Sequence, residues 1–129
     1  MTSDEQRANA MERANWVAEA ALDRKALDVV ALDVGALTSY ADAFLLATGT
    51  SDRHTRAITD AIREAGVRRG EKPLGVEGYD EGRWVLIDLG DVIVHVFQAE
   101  VRKAYDLERL WSDAEPLALD ALAAVPATA

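Results

Sequence analysis

Two apolar runs that meet at Gly90-Asp91 constrain the fold of this chain more than any other part of its sequence. They span Arg83–Phe97 and read RWVLIDLGDVIVHVF. A glycine at the first position of a two-residue loop favours a type II′ turn, because glycine accepts a positive φ without a Cβ clash. The segment therefore predicts an antiparallel hairpin with strands over about 83–89 and 92–98.

Residue alternation divides the first strand of this hairpin into two faces. Trp84, Leu86 and Asp88 share one face, and the other carries mostly aliphatic residues that can pack against helices. An exposed group of one aromatic, one aliphatic and one acidic side chain is typical of a hot spot in a protein interface. The alternative is that Trp84 belongs to the core, because tryptophan buries a large apolar area.

The remaining segments predict an α/β sandwich. Its mixed sheet has about five strands, with flanking helices on one or both faces. We expect one domain over residues 1–112 and a flexible, alanine-rich tail over residues 113–129. The other expected elements are a helix over about 4–24, strands over Leu27–Val34, Phe44–Thr48 and Pro73–Glu77, a helix capped by Ser51 or Asp52 and ended by Gly66, and a single last helix bearing Val101, Ala104, Leu107, Leu110 and Trp111.

Composition excludes several classes of function. The chain has no cysteine, so it has no disulfide, thiolate metal site or cysteine nucleophile. A net charge of −9 opposes direct nucleic-acid readout and suits either solubility or a basic protein partner. No apolar run is long enough to span a membrane, and the acidic N-terminus lacks the apolar core of a signal peptide. We therefore expect a cytoplasmic protein.

The segment Gly49–Asp52 is the strongest candidate for nucleotide chemistry, because it joins a strand to a helix N-terminus, where backbone N–H groups can hold a phosphate. It contains one glycine and lacks the spacing and the terminal lysine of a P-loop. The simpler interpretation is that Gly49 makes the turn and that Ser51 or Asp52 caps the helix.

Other polar residues give no consistent catalytic or metal-binding pattern. A nucleotidyltransferase needs converging carboxylates, and no Asp-x-Asp pair follows the Gly-Thr-Ser turn. We expect no metal, no cofactor and structural roles for both histidines. The residues considered are Asp33, Asp42, Asp88, Asp91, His54 and His95.

Five motifs in order resemble the Iojap/RsfS family of ribosomal silencing factors, over about residues 5–112. They are Asp28–Val34, Thr48–His54, Gly75–Gly78, Trp84–Phe97 and Tyr105–Trp111. The resemblance implies a fold akin to a pared-down nucleotidyltransferase, without established transferase activity. It also implies binding to the large ribosomal subunit through ribosomal protein L-fourteen, which hinders subunit joining when nutrients are scarce. A role in large-subunit maturation is implied as well.

Carried over by motif position, the partner contacts are Trp84, Leu86 and Asp88, with Arg83 and Tyr79 beside them. The resemblance also matches Gly75, Gly78, Gly90 and Asp91, which we expect to form turns. The leading hypothesis is a translational repressor that is not an enzyme. The alternatives are a nucleotide-handling enzyme at Gly49–Asp52 and a homodimer that uses the exposed face when the protein is free.

Overall fold

Six strands form one mixed sheet within residues 3–123, the part of the chain that the computed structural model describes. The order across the sheet is β3-β4-β5-β2-β1-β6, in which β2 and β5 are parallel and every other pair is antiparallel. The mixed sheet is confirmed, and the expected number of strands was one too few. The strands are β1 Leu27–Asp33, β2 Ala43–Gly49, β3 Gly75–Glu77, β4 Trp84–Asp88, β5 Val92–Gln98 and β6 Glu115–Pro116.

Five helices flank this sheet on both faces. They are α1 Ser3–Asp23, α2 Asp52–Arg68, α3 Ala99–Tyr105, α4 Leu107–Leu110 and α5 Asp120–Ala123. Helices α1 and α2 cover one face, where their apolar residues join those of β2, β4 and β5 in the larger core cluster. Within residues 3–123, none of the helices combines the length and the apolar character that crossing a bilayer requires.

Helix α2 begins where the sequence predicts and ends later. The Ser51 side chain accepts a hydrogen bond from the backbone N–H of His54 at 3.0 Å, so the predicted cap is confirmed. The helix continues past Gly66 to Arg68, and Gly66 as its stop is wrong. A Cβ at Gly66 would lie 2.8 Å from the carbonyl oxygen of Glu71, so this glycine allows close packing.

The hairpin of β4 and β5 is confirmed, with ends that differ by a residue or two from those predicted. Gly90 has a φ of 92°, the positive value expected of it, and its N–H donates to the Asp88 carboxylate at 2.8 Å. Gly78 also has a positive φ of 81°, as a turn former does. Gly75 lies within β3 opposite Asp88, so its assignment to a turn is wrong.

The last helix of the prediction is broken into α3 and α4. Asp106, between them, adopts a left-handed φ of 46° and ends the first helix. The Arg102 guanidinium spans the break, donating to Glu108 at 2.8 Å and to the Thr48 hydroxyl at 2.8 Å. Apolar periodicity alone could not indicate this break, since Asp106 is neither glycine nor proline.

The prediction of a flexible tail is wrong for residues 113–123. Strand β6 pairs with β1, and Leu117 and Leu119 are buried in the larger core cluster. The backbone N–H of Ala121 donates to the Asn15 side chain at 2.8 Å and fixes α5 on α1. Two leucines in an alanine-rich stretch suffice to seal this edge of the sheet. Residues 124–129 of the predicted tail lie outside the described residues.

Candidate functional site

The two faces predicted for β4 are confirmed. Val85 and Ile87 are fully buried in the core cluster that α1 and α2 cover. Trp84, Leu86 and Asp88 alternate with them, point away from those helices and are half-buried. The three residues that the sequence predicts as partner contacts therefore share one face of the sheet, which α3 and α4 cover only in part.

Trp84 is neither a core residue nor a free surface side chain. Its indole ring packs on Tyr105 of α3 with centroids 4.7 Å apart, and on Phe97 at 6.0 Å. Its Nε1–H donates a hydrogen bond to Nδ1 of His95 at 3.1 Å. The structure thus combines both interpretations offered by the sequence, because one part of the indole is packed and another is exposed.

His95 has the structural role that the sequence predicts. It is 7% exposed and lies on β5, on the same face as Trp84. An indole N–H only donates, so Nδ1 must be unprotonated and the neutral ring carries its proton on Nε2. Burial lowers the pKa of His95 to about 4, which keeps the ring neutral at pH 7.

Sequence reasoning missed much of the apolar surface around Trp84. We define the aromatic face as Tyr40, Phe44, Trp84, His95, Tyr105 and Trp111, which are linked by ring contacts at centroid distances of 4.7 to 6.1 Å. Tyr105 is 62% exposed and nearby Leu110 is 72% exposed. On an unbroken helix, Tyr105 and Trp111 would point about 120° apart. The break at Asp106 turns both towards the sheet.

Asp88 and Arg83 lie at opposite ends of β4. Asp88 is half-buried, and its carboxylate accepts a hydrogen bond from the N–H of Gly90. It therefore stabilises the hairpin turn from the side of the sheet that carries Trp84. Arg83 is exposed and precedes the strand, and its carbonyl accepts the backbone N–H of Gln98 at 3.0 Å. Its side chain lines a notch with Asp52 and Glu100, away from Asp88.

Tyr79 is separated from the other predicted contacts. Its hydroxyl donates to the Asp60 carboxylate on α2 at 2.9 Å, and the Arg63 guanidinium lies 5.7 Å from its ring centroid. Helix α2 covers the face of the sheet opposite Trp84. The structure therefore brings together Trp84, Leu86 and Asp88, and places Tyr79 on the helical side.

Several hydrogen bonds within the protein hold the Gly49–Asp52 turn. The Thr50 N–H donates to Nδ1 of His54 at 2.9 Å, the His54 N–H is held by Ser51, and the Thr55 N–H donates to the Ser51 carbonyl at 3.0 Å. The Thr50 and His54 N–H groups are therefore not available to an anion at this helix N-terminus. His54 Nε2 lies 2.7 Å from the Arg24 carbonyl, which agrees with the structural role predicted for this histidine.

Two of the candidate metal ligands are held in ion pairs. Asp33 pairs with Arg7, and Asp91 pairs with Arg13, which also binds Glu71 at 2.6 Å. Among residues 3–123, no three histidine, aspartate or glutamate side chains converge in a way that could hold a metal ion. Asp33 and Asp91 thus form ion pairs with residues of α1, and the pair made by Asp91 joins the hairpin turn to that helix.

Comparison with known proteins places this chain among ribosome-related sequences. A family model described as "Ribosomal silencing factor during starvation" matches residues 7–129. The Bacillus subtilis (strain 168) ribosomal silencing factor RsfS is 47% identical over 96 residues, which cover 74% of this chain and 80% of that protein. The mouse "Mitochondrial assembly of ribosomal large subunit protein 1" is 30% identical over 90 residues, or 67% of this chain and 40% of that protein.

A solved structure shares the fold described above. A crystal structure of a Chromobacterium violaceum protein superposes with a TM-score of 0.79 at 35% sequence identity. The match covers 92% of this chain and 95% of that chain.

Proposed function

Because this chain belongs to the RsfS family of ribosomal silencing factors, we propose that it represses translation by binding the large ribosomal subunit. Its partner on that subunit is ribosomal protein L-fourteen, and the bulk of the bound factor keeps the small subunit away. Repression operates chiefly when nutrients are limiting. The mouse relative, whose name refers to assembly of the large subunit, supports the choice of subunit.

The aromatic face is the observation that carries this proposal. It combines half-buried anchors such as Trp84 with strongly exposed side chains such as Tyr40 and Tyr105, which are 60% and 62% exposed. Aromatic anchors surrounded by polar residues are typical of protein interfaces. Anchors that are already packed against neighbours lose little conformational entropy on binding, which favours affinity.

The charge of the chain suits the same partner. A net charge of −9 attracts a basic protein surface and speeds its encounter at low salt. Asp88 places one carboxylate on the same face as Trp84 and Leu86. We expect the partner surface to be apolar at its centre and basic at its edge, with binding that weakens as salt rises.

We further propose that no catalysis accompanies binding. The sandwich is related to nucleotidyltransferases in architecture alone. The Thr50 and His54 N–H groups at this turn are engaged within the protein, and the neighbouring notch sets one cation, Arg83, against the carboxylates of Asp52 and Glu100, so it offers a phosphate no net positive charge. Saturable nucleotide binding that disappears in T50A would instead favour the enzyme.

Co-sedimentation with isolated ribosomal subunits tests the proposed function. The wild type should pellet with large subunits and not with small ones, and should slow subunit joining in a light-scattering assay. L110S should weaken binding, since Leu110 is 72% exposed and directly precedes Trp111 of the aromatic face in the chain. V67S is the matched control, because Val67 is 64% exposed on α2 at the opposite face. Equal binding by both variants contradicts this assignment of the surface, and no binding by the wild type contradicts the function.

The free protein presents the same apolar surface to other copies of itself. We propose that a homodimer formed through the aromatic face competes with the ribosomal partner. Sedimentation velocity at several concentrations tests this, with L110S expected to favour the monomer more than V67S does. A wild type that stays monomeric at every concentration excludes the dimer.

A further inference from the structure

We propose that His95 is a positioning residue: its Nδ1 holds the indole of Trp84 in the orientation in which the aromatic face receives its partner. The inference rests on the proposed function, because it explains how the surface that binds the large subunit is preorganised. It assigns a role to the buried imidazole of that face, which is 7% exposed.

The hydrogen bond joins neighbouring strands along a diagonal. Trp84 lies opposite Phe97 on β5, and His95 lies opposite Leu86 on β4, so the two bonded side chains are two positions out of register. Diagonal neighbours on one face are about 7–8 Å apart at Cα, within reach of large aromatic side chains. The 3.1 Å bond between them therefore requires the indole to lean along the sheet towards His95.

His95 is itself held in place. The edge of its ring meets Phe44 of the central strand, with centroids 5.5 Å apart and planes at 82°. Strand β2 is buried along its whole length, which makes Phe44 a rigid support. A continuous series of contacts thus leads from β2 through His95 to Trp84, and Tyr105 packs on the indole with ring centroids 4.7 Å apart.

This bond also determines what Trp84 can offer to a partner. The indole has one polar atom, Nε1, and its proton is already donated to His95. The exposed part of Trp84 therefore presents only apolar and π surface. We infer that the partner group that meets it is aliphatic, aromatic or a lysine or arginine cation, and not a hydrogen-bond acceptor.

Two substitutions of His95 distinguish the effect of its hydrogen-bond acceptor from the effect of its aromatic ring. H95F keeps an aromatic ring and removes the acceptor, whereas H95Q retains a carbonyl oxygen that can accept the indole proton. We expect H95F to bind large subunits about fivefold more weakly, the effect of one neutral hydrogen bond. We expect H95Q to recover most of that loss. If His95 only stabilised the fold, both variants would be less stable than the wild type, and H95Q would not bind large subunits more tightly than H95F does.

NMR of the free protein supplies a readout that needs no ribosome. The indole N–H of Trp84, assigned by its loss in W84F, should exchange slowly with solvent in the wild type and rapidly in H95F. Nitrogen shifts of His95 should show Nδ1 unprotonated at pH 7. These wild-type measurements test the bond even if H95F fails to fold.

The outcomes distinguish the two proposals. Rapid exchange of the Trp84 indole N–H in the wild type overturns the role of His95, whatever the subunits do. Undiminished subunit binding by folded H95F overturns it too. If the indole N–H is protected in the wild type and released in H95F, yet the wild type binds no large subunits, then the proposed function is wrong and the positioning of Trp84 by His95 stands.

Discussion

Trp84 on β4 donates its indole proton to Nδ1 of His95 on β5, over 3.1 Å, and this bond joins the exposed edge of the aromatic face to the buried part of the sheet. The bond requires an unprotonated Nδ1, so it exists only while His95 is neutral. The packing of Trp84 is therefore coupled to the protonation state of His95.

Stability should fall as the solution is acidified from pH 7 to pH 5. Burial lowers the pKa of His95 to about 4 in the folded protein, from an ordinary 6.5. The unfolded chain therefore takes up a proton first, and the stability present above pH 6.5 is lost progressively as the pH falls towards 4. The loss between pH 7 and pH 5 should be roughly 2 kcal/mol from this group. Urea denaturation at both pH values measures it.

The control for this pH dependence is H95Q, which has no titrating group at the position. Carboxylates elsewhere titrate in both proteins, so only the difference between the two pH profiles belongs to His95. Parallel profiles for the wild type and H95Q would contradict a buried neutral histidine.

Replacing Trp84 by alanine should abolish binding to the large subunit and leave the fold intact. The side chain is half-buried outside the larger core cluster, and its neighbours Tyr105 and Phe97 can partly close over the space. We expect at least a tenfold loss of affinity, as for an interface anchor. Co-sedimentation measures binding, and far-UV circular dichroism measures folding. Retained binding by folded W84A would exclude Trp84 as an anchor.

W84F is the matched variant for this test. It keeps an aromatic ring against Tyr105 but lacks the indole N–H that His95 accepts. Binding by W84F between that of the wild type and that of W84A is the expected order.

The hairpin and its two faces could be predicted from sequence because both depend on local features. Alternation over five residues of β4 separates Val85 and Ile87 from Trp84 and Leu86, and Gly90 supplies the positive φ of the turn. A resemblance over ordered motifs then identified the family. Neither step required knowledge of which distant elements pack together.

What local pattern could not predict depends on contacts between distant elements or on a backbone break. Tyr79 precedes Trp84 by only five positions, yet it reaches Asp60 of α2 on the other side of the sheet. Residues 115–119 look like a tail in composition and still complete the β1 edge. The surface around Trp84 could not be predicted in full, because Tyr105 and Trp111 share it only through the left-handed Asp106.

Asp106 offers a direct test of that break. Its φ of 46° is accessible to aspartate and glycine but strained for a β-branched residue. D106G should change stability by less than about 1 kcal/mol, whereas D106V should cost about 1–3 kcal/mol. D106V should also weaken subunit binding, because Tyr105 and Trp111 depend on the break. Thermal unfolding of both variants checks the order, and equal stability would show that the break carries no strain.

Two glycines of the third motif should respond in opposite ways to substitution by alanine. Gly78 has a φ of 81°, and a Cβ there would overlap the carbonyl oxygen of Trp84. Backbone cannot yield as a flexible side chain does, so G78A should destabilise the domain by about 2 kcal/mol or more and should displace the start of β4. Gly75 has no atom within 4 Å of a Cβ built on it, and its φ is not positive.

G75A is therefore the matched control, and we expect it to be neutral or to stabilise the domain by up to about 1 kcal/mol, since alanine restricts the unfolded chain. Chemical denaturation of both variants measures the difference. Because G78A moves the backbone that carries Trp84, it should also weaken binding to the large subunit, whereas G75A should not unless Gly75 itself meets the partner. Similar stability of the two variants would show that Gly78 is not held against Trp84.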